Sequence, residues 1–128
     1  MITNAGKDFQ AAQMFSTSPG TNGANYIALT ANATAPAVAD TALTGEFAAA
    51  SGGLNRAQAT YGHTIGTGTT TLTKTFTANS NDGSSNTISK AGLFTAATGG
   101  TLVLETAMPS PPVLVSSDSV AVTWTQTF

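Results

Sequence analysis

The single histidine, His63, lies in Thr60-Tyr61-Gly62-His63-Thr64-Ile65-Gly66, and imidazole is the side chain best suited to moving protons near neutral pH. Hydrolysis would also need a nucleophile beside it and a carboxylate to orient it. Serine and threonine are too abundant here to single out a nucleophile, and no Gly-x-Ser-x-Gly elbow occurs. The carboxylates Asp8, Asp40, Glu46, Asp82, Glu105 and Asp118 are scattered singly, so no local acid–base pair is legible. Asn79-Ser80-Asn81-Asp82-Gly83 opens like a calcium loop but carries one charged ligand and no closing Glu, so it reads as a turn. Gly66-Thr67-Gly68-Thr69 lacks the lysine that ends a phosphate loop. Asn32-Ala33-Thr34 matches a glycosylation sequon, which matters only on an exported chain. Cysteine is absent, which excludes disulfides, thiolate catalysis and Cys-ligated zinc. We expect no catalytic residue, cofactor or metal, and no enzyme.

The elements that would position such residues are mostly strands. Residues 5–15 (AGKDFQAAQMF) are predicted as a short helix with Phe9, Ala12 and Met14 or Phe15 on one stripe. Tyr26–Thr30 reads as a strand, and 36–46 as a loop closed by Gly45 with at most one helical turn. Residues 48–53 (AAASGG) form a flexible separator before a strand at Asn55–Tyr61. Thr70–Ala78 alternates Leu72, Phe76 and Ala78 against Thr71, Thr73, Thr75 and Thr77, the period of a half-buried strand. Lys74 falls on its apolar side, which places it near an edge or an interface. A turn at Asp82-Gly83 leads into a strand at Asn86–Phe94, then another at Thr101–Ala107. Pro109, Pro111 and Pro112 stop sheet pairing. From Asp118 to Phe128, Val120, Val122, Trp124 and Phe128 alternate with small polar residues, and Trp124 belongs to the core. The fold class is all-β: a two-sheet antiparallel β-sandwich, jelly-roll-like, with at most a short N-terminal helix. One domain spans 1–128, with 1–20 as an N-terminal arm.

Composition limits the function. Only 8% of the 128 residues are charged, against about 25% in ordinary soluble domains. A neutral surface of Thr, Ser, Asn and Gly is easily desolvated, whereas burying unpaired charge costs roughly several kcal/mol per group. Such a surface suits a subunit buried among neighbours. Net charge of −2 with four basic residues argues against nucleic acid. No basic-then-apolar leader opens the chain, and no stretch approaches the ~20 apolar residues of a membrane span. Synthesis in a cytoplasm is expected, without a membrane partner or small-molecule substrate. A threonine ladder also resembles an ice-binding face, but its register is strong in two strands only.

The strings NYIALTANATAPAVADTALTGE (25–46), GGLNRAQATYGHTIGTGTTTLTKTFTA (52–78), ISKAGLFTAATGGTLVLETAM (88–108) and SSDSVAVTWTQTF resemble a family of small tailed-phage and prophage structural proteins, in collinear order over nearly the whole chain. KAGLFTAATGGT is similar also to turns of tail-fibre and collar modules, and PSPPVLV departs from the pattern by its prolines. The resemblance implies a virion component on the outer capsid surface: a cement, or decoration, protein that bridges major capsid protein subunits and stabilises the DNA-filled head. It also implies a homo-oligomer, dimer or trimer. A tail or fibre-attachment protein is the alternative, and a glycan-binding module a third reading. Interface candidates are Ile2, Phe9, Met14 and Phe15 of the arm, Met108, Pro111 and Pro112 of the proline segment, and Arg56, Tyr61 and His63 as polar anchors.

Overall fold

The computed structural model describes residues 1–6, 23–48, 52–67, 69–79 and 86–127. Its strands are β1 (Tyr26–Thr30), β2 (Ala57–Gln58), β3 (Thr60–His63), β4 (Thr69–Thr77), β5 (Asn86–Thr87), β6 (Lys90–Phe94), β7 (Leu102–Ala107), β8 (Val113–Leu114) and β9 (Ser119–Thr127). They pair antiparallel throughout, in the orders β2-β1-β6-β7 and β3-β4-β9, with a small β5-β8 pair. The fold is the all-β sandwich that the alternating strands require.

Alternation decides what each sheet buries. Ile27 and Leu29 of β1, Ala91 and Leu93 of β6 and the half-buried Leu104 of β7 pack against Phe76 of β4 and Val122 of β9. Leu72, Val120 and Trp124 lie half-buried against the same core, and Ile88 and Leu114 complete it. Each fully buried side chain of this size is worth about 1.5–3 kcal/mol of transfer free energy. The first sheet is apolar on its other face too, where Ala28, Phe94 and Leu102 meet Leu43 from the 31–46 loop. Burial of all five residues of β6 follows from that double covering.

Strand locations agree with the sequence reading except at β8, which pairs with β5 directly after the prolines expected to stop pairing, and two expected strands are broken. Asn55–Tyr61 divides at Ala59, whose N–H donates to Asn25 (2.8 Å), so β2 pairs with β1 and β3 with β4. Asn86–Phe94 divides at Ile88 and Ser89, whose N–H groups donate to Pro112 and Thr30, both at 2.9 Å. Both breaks are corners where one segment changes partner sheets. Gly53 (φ +88°) abuts the Thr77 carbonyl, closer than any Cβ allows, which ties Gly52-Gly53, the described end of the expected separator, to the end of β4.

At the N-terminus, the described part of the expected helix is one turn at Asn4–Gly6. Thr3 caps it by accepting from Gly6 N–H at 3.0 Å and donates to Leu102 O at 2.8 Å. Phe9, Met14, Phe15 and the Asp82-Gly83 turn lie outside the described residues.

Candidate functional site

The outer face of the β3-β4-β9 sheet is built from register. Thr69, Thr71, Thr73, Thr75 and Thr77 stand directly opposite Thr127, Thr125, Thr123, Ala121 and Ser119. Hydroxyls meet across the strands at Thr73–Thr123 (3.2 Å) and Thr77–Ser119 (2.7 Å). Thr60 and Gly62 of β3 face Thr73 and Thr71, so the threonine rank thins at the third strand. This face carries methyl and hydroxyl groups and no charge.

The scarce charges are engaged elsewhere. Arg56 Nε and Nη2 donate to the two Glu46 carboxylate oxygens at 2.8 and 2.6 Å, and Nη1 donates to the Ala96 and Gly99 carbonyls at 3.0 and 2.7 Å. Its guanidinium also lies 3.6 Å from the Phe94 ring centroid. Lys90 Nζ sits 3.5 Å from Glu105 Oε2, both buried. Glu105 Oε1 and Asp40 Oδ2 both accept from Ala37 N–H, at 3.1 and 2.9 Å. Burial, and a hydrogen bond to Asp40, push the Glu105 carboxyl above its ordinary range. The same bond from Glu105, with Ala37 N–H and nearby Lys90, holds Asp40 below its own. The two carboxyls that meet beside the Lys90 ammonium are thus shifted in opposite directions. Asp118 accepts from Val115 N–H at 2.9 Å in the turn before β9. Lys74 is half-buried in the central strand β4, opposite Val122 of β9 and one residue past the last β3–β4 pair.

An apolar cavity of about 370 Å³ opens where Tyr61, Leu72, Leu104 and Trp124 converge beside Ala24 and Asn25. Asn25 Oδ1 and Trp124 Nε1 are buried there without hydrogen-bond partners. The cavity lining is apolar, and unmet buried polar groups such as these two beside it are uncommon.

The candidate residues disperse over the molecule. Arg56 is an internal clamp between the Glu46 segment and the 96–99 turn, with its side chain 10% exposed. Ile2 bridges to Leu104 at the edge of β7. Met108 packs against the core, and Pro112 offers its carbonyl to Ile88, while Pro111 is exposed. Tyr61 (63% exposed) and His63 share β3, with ring centroids 6.4 Å apart. His63 Nδ1 donates to Thr69 O at 2.9 Å, so Thr69, not a carboxylate, orients the ring.

Sequence reasoning missed the exposed apolar residues Ile65 (94%), Val113 and Val115. Ile65 was legible as an aliphatic residue in a Thr-Gly turn; Val113 and Val115 were legible only once the prolines before them were seen to expose the segment. Among the described residues no group of His, Asp and Glu is placed to hold a metal, and no helix is long and apolar enough to cross a membrane. No protein-family model matches the chain, and no curated protein matches it.

Proposed function

We propose that this chain is a phage capsid cement protein, binding the outer head shell through the threonine face and bridging major capsid protein subunits. The observation that carries the reading is the surface. In a chain with so few charges, the described ones are mostly tied into internal pairs, and an extended sheet face is left neutral and hydroxyl-covered. Desolvating hydroxyls and methyls is cheap when partner carbonyls and amides replace the water, whereas desolvating charge is not. Stable bridging needs on the order of 1,000 Å² of buried surface, and repetition around a shell multiplies modest contacts into avidity. The role is mechanical: area added across capsomer seams opposes the outward pull of packaged DNA.

The deciding experiment is reconstruction of intact particles, with the protein's copy number counted against the major capsid protein. Cement predicts density on the outer shell at hundreds of equivalent positions, on the order expected from icosahedral repetition. Occurrence in a few copies on the tail selects the tail-attachment reading, and absence from particles removes both. With capsid binding established, Thr69→Lys/Thr75→Lys should abolish it while leaving the melting temperature within a few degrees, because both side chains are exposed.

A further inference from the structure

Edges of sheets are templates for further pairing, and among the described residues the other edges of the two larger sheets are managed. The β7 edge is met by the N-terminal segment through the Ile2–Leu104 bridge and Thr3 N–H to Val103 O, and β7 carries an irregularity opposite Leu93/Phe94. The β2 edge is two residues long, and the β3 edge four, with a glycine inside. The β9 edge differs. It runs nine residues in unbroken register with β4 and contains no charge, proline or bulge, the usual devices against edge pairing.

The phase of the ladder settles which groups face outward. Ala78 N–H donates to Asp118 O, and hydrogen-bonded and non-bonded pairs alternate from there. Val120, Val122, Trp124 and Gln126 therefore bond to β4. Ser119, Ala121, Thr123, Thr125 and Thr127 turn their N–H and C=O groups to the edge that is left unpaired among the described residues. The close hydroxyl contacts at Thr73–Thr123 and Thr77–Ser119 fit this phase, since side chains approach most nearly in non-bonded pairs.

We infer that β9 is a homodimer interface, pairing antiparallel with β9 of a second copy about a two-fold axis at Thr123. The strand is self-complementary in that register. Thr123 meets Thr123 of the second copy, Ala121 meets Thr125, and Ser119 meets Thr127, so every outward-facing residue finds an outward-facing partner. About ten backbone hydrogen bonds form across roughly 30 Å. On the inner face Val122 meets Trp124 of the second copy, a β-branched–aromatic pair of the kind that stabilises sheets, and both apolar edges are covered. On the outer face the hydroxyl rank continues from one copy into the next. A strand without charge has no like charge to repel its own image. The two-fold joins two three-stranded sheets into one of six strands and doubles the neutral face. The inference rests on the edge alone and stands whether the assembled particle is a head, a tail or neither.

Sedimentation of the isolated protein across about 0.1–100 µM tests it, with fluorescence of the sole tryptophan, Trp124, followed over the same range. A dimer is expected, with Trp124 emission tracking the dimer fraction. Thr123→Pro removes an N–H that β4 does not use, and should weaken association roughly tenfold or more. Thr123→Lys changes an exposed side chain, giving up its surface hydroxyl contact with Thr73, and sets like charges together on the axis; it should weaken association severalfold without unfolding the chain. Thr75→Lys, on the same face but away from the edge, should dimerise as the parent does. A monomer throughout, a trimer, or a dimer indifferent to both Thr123 variants overturns the inference. The particle assay above is independent of each of these results.

Discussion

At the residue scale, Arg56 shows how one side chain can serve packing and polarity together. Its planar fork matches the Glu46 carboxylate with two nearly parallel bonds, its remaining nitrogen holds two turn carbonyls, and its flat face covers Phe94. Lysine supplies the charge but neither the fork nor the stacking surface. Arg56→Lys should therefore destabilise by about 2–4 kcal/mol, most of the loss expected for breaking a largely buried pair. Glu46→Gln keeps one acceptor and should cost less. Chemical denaturation of both variants checks the order; an Arg56→Lys protein as stable as its parent would show that charge alone suffices. Sequence reasoning flagged Arg56 for its residue type, since Arg favours interfaces. The ring and carbonyls that engage it internally come from residues up to 43 positions away, and no local pattern announces them.

At the element scale, the 31–46 loop is held over the first sheet by a hidden carboxyl pair. Asp40 and Glu105 looked solitary in the chain because their meeting depends on the loop folding over β7. The strands were readable from period-2 alternation, down to the bounds of β1 and within a residue or so for β4, β7 and β9. The breaks at Ala59 and Ile88–Ser89 were not, because alternation says which way a side chain points and nothing about which sheet its backbone joins.

The pair makes a signed pH prediction. Asp40, with its lowered pKa, adds stability that is present above the ordinary Asp value and is lost as pH falls through the lowered one. Glu105, with its raised pKa, adds stability that is present below the ordinary Glu value and is lost as pH rises through the raised one. Glu105→Gln mimics the neutral form, so its stability should stop declining on the alkaline side of about pH 4.3 while the parent's continues. Asp40→Asn should flatten the acid limb instead. Thermal melts at closely spaced pH values distinguish the limbs, and identical profiles for parent and Glu105→Gln would show that the Glu105 carboxyl is not raised by folding.

For the whole molecule, the distribution of charge has a consequence for how it associates. Arg56–Glu46 and the buried Lys90–Glu105 pair lie inward, and the β3-β4-β9 outer face has no ionic group to steer a partner. Association through that face must rest on desolvation, hydroxyl hydrogen bonds and shape. Long-range electrostatic attraction has no source there, so the on-rate should fall in the unsteered range of about 10⁵–10⁶ M⁻¹s⁻¹. Salt should then matter little, since screening acts on charges and the Debye length shrinks from about 10 Å at 0.1 M to 3 Å at 1 M. Binding to particles stripped of the protein, measured from 0.05 to 1 M sodium chloride, is expected to vary by no more than a few-fold. Sulfate, which strengthens burial, should tighten it. A steep fall in affinity with sodium chloride would mean that the contact is ionic, and it would move the binding surface away from the threonine face to the rim where Lys74 and Asp118 are found.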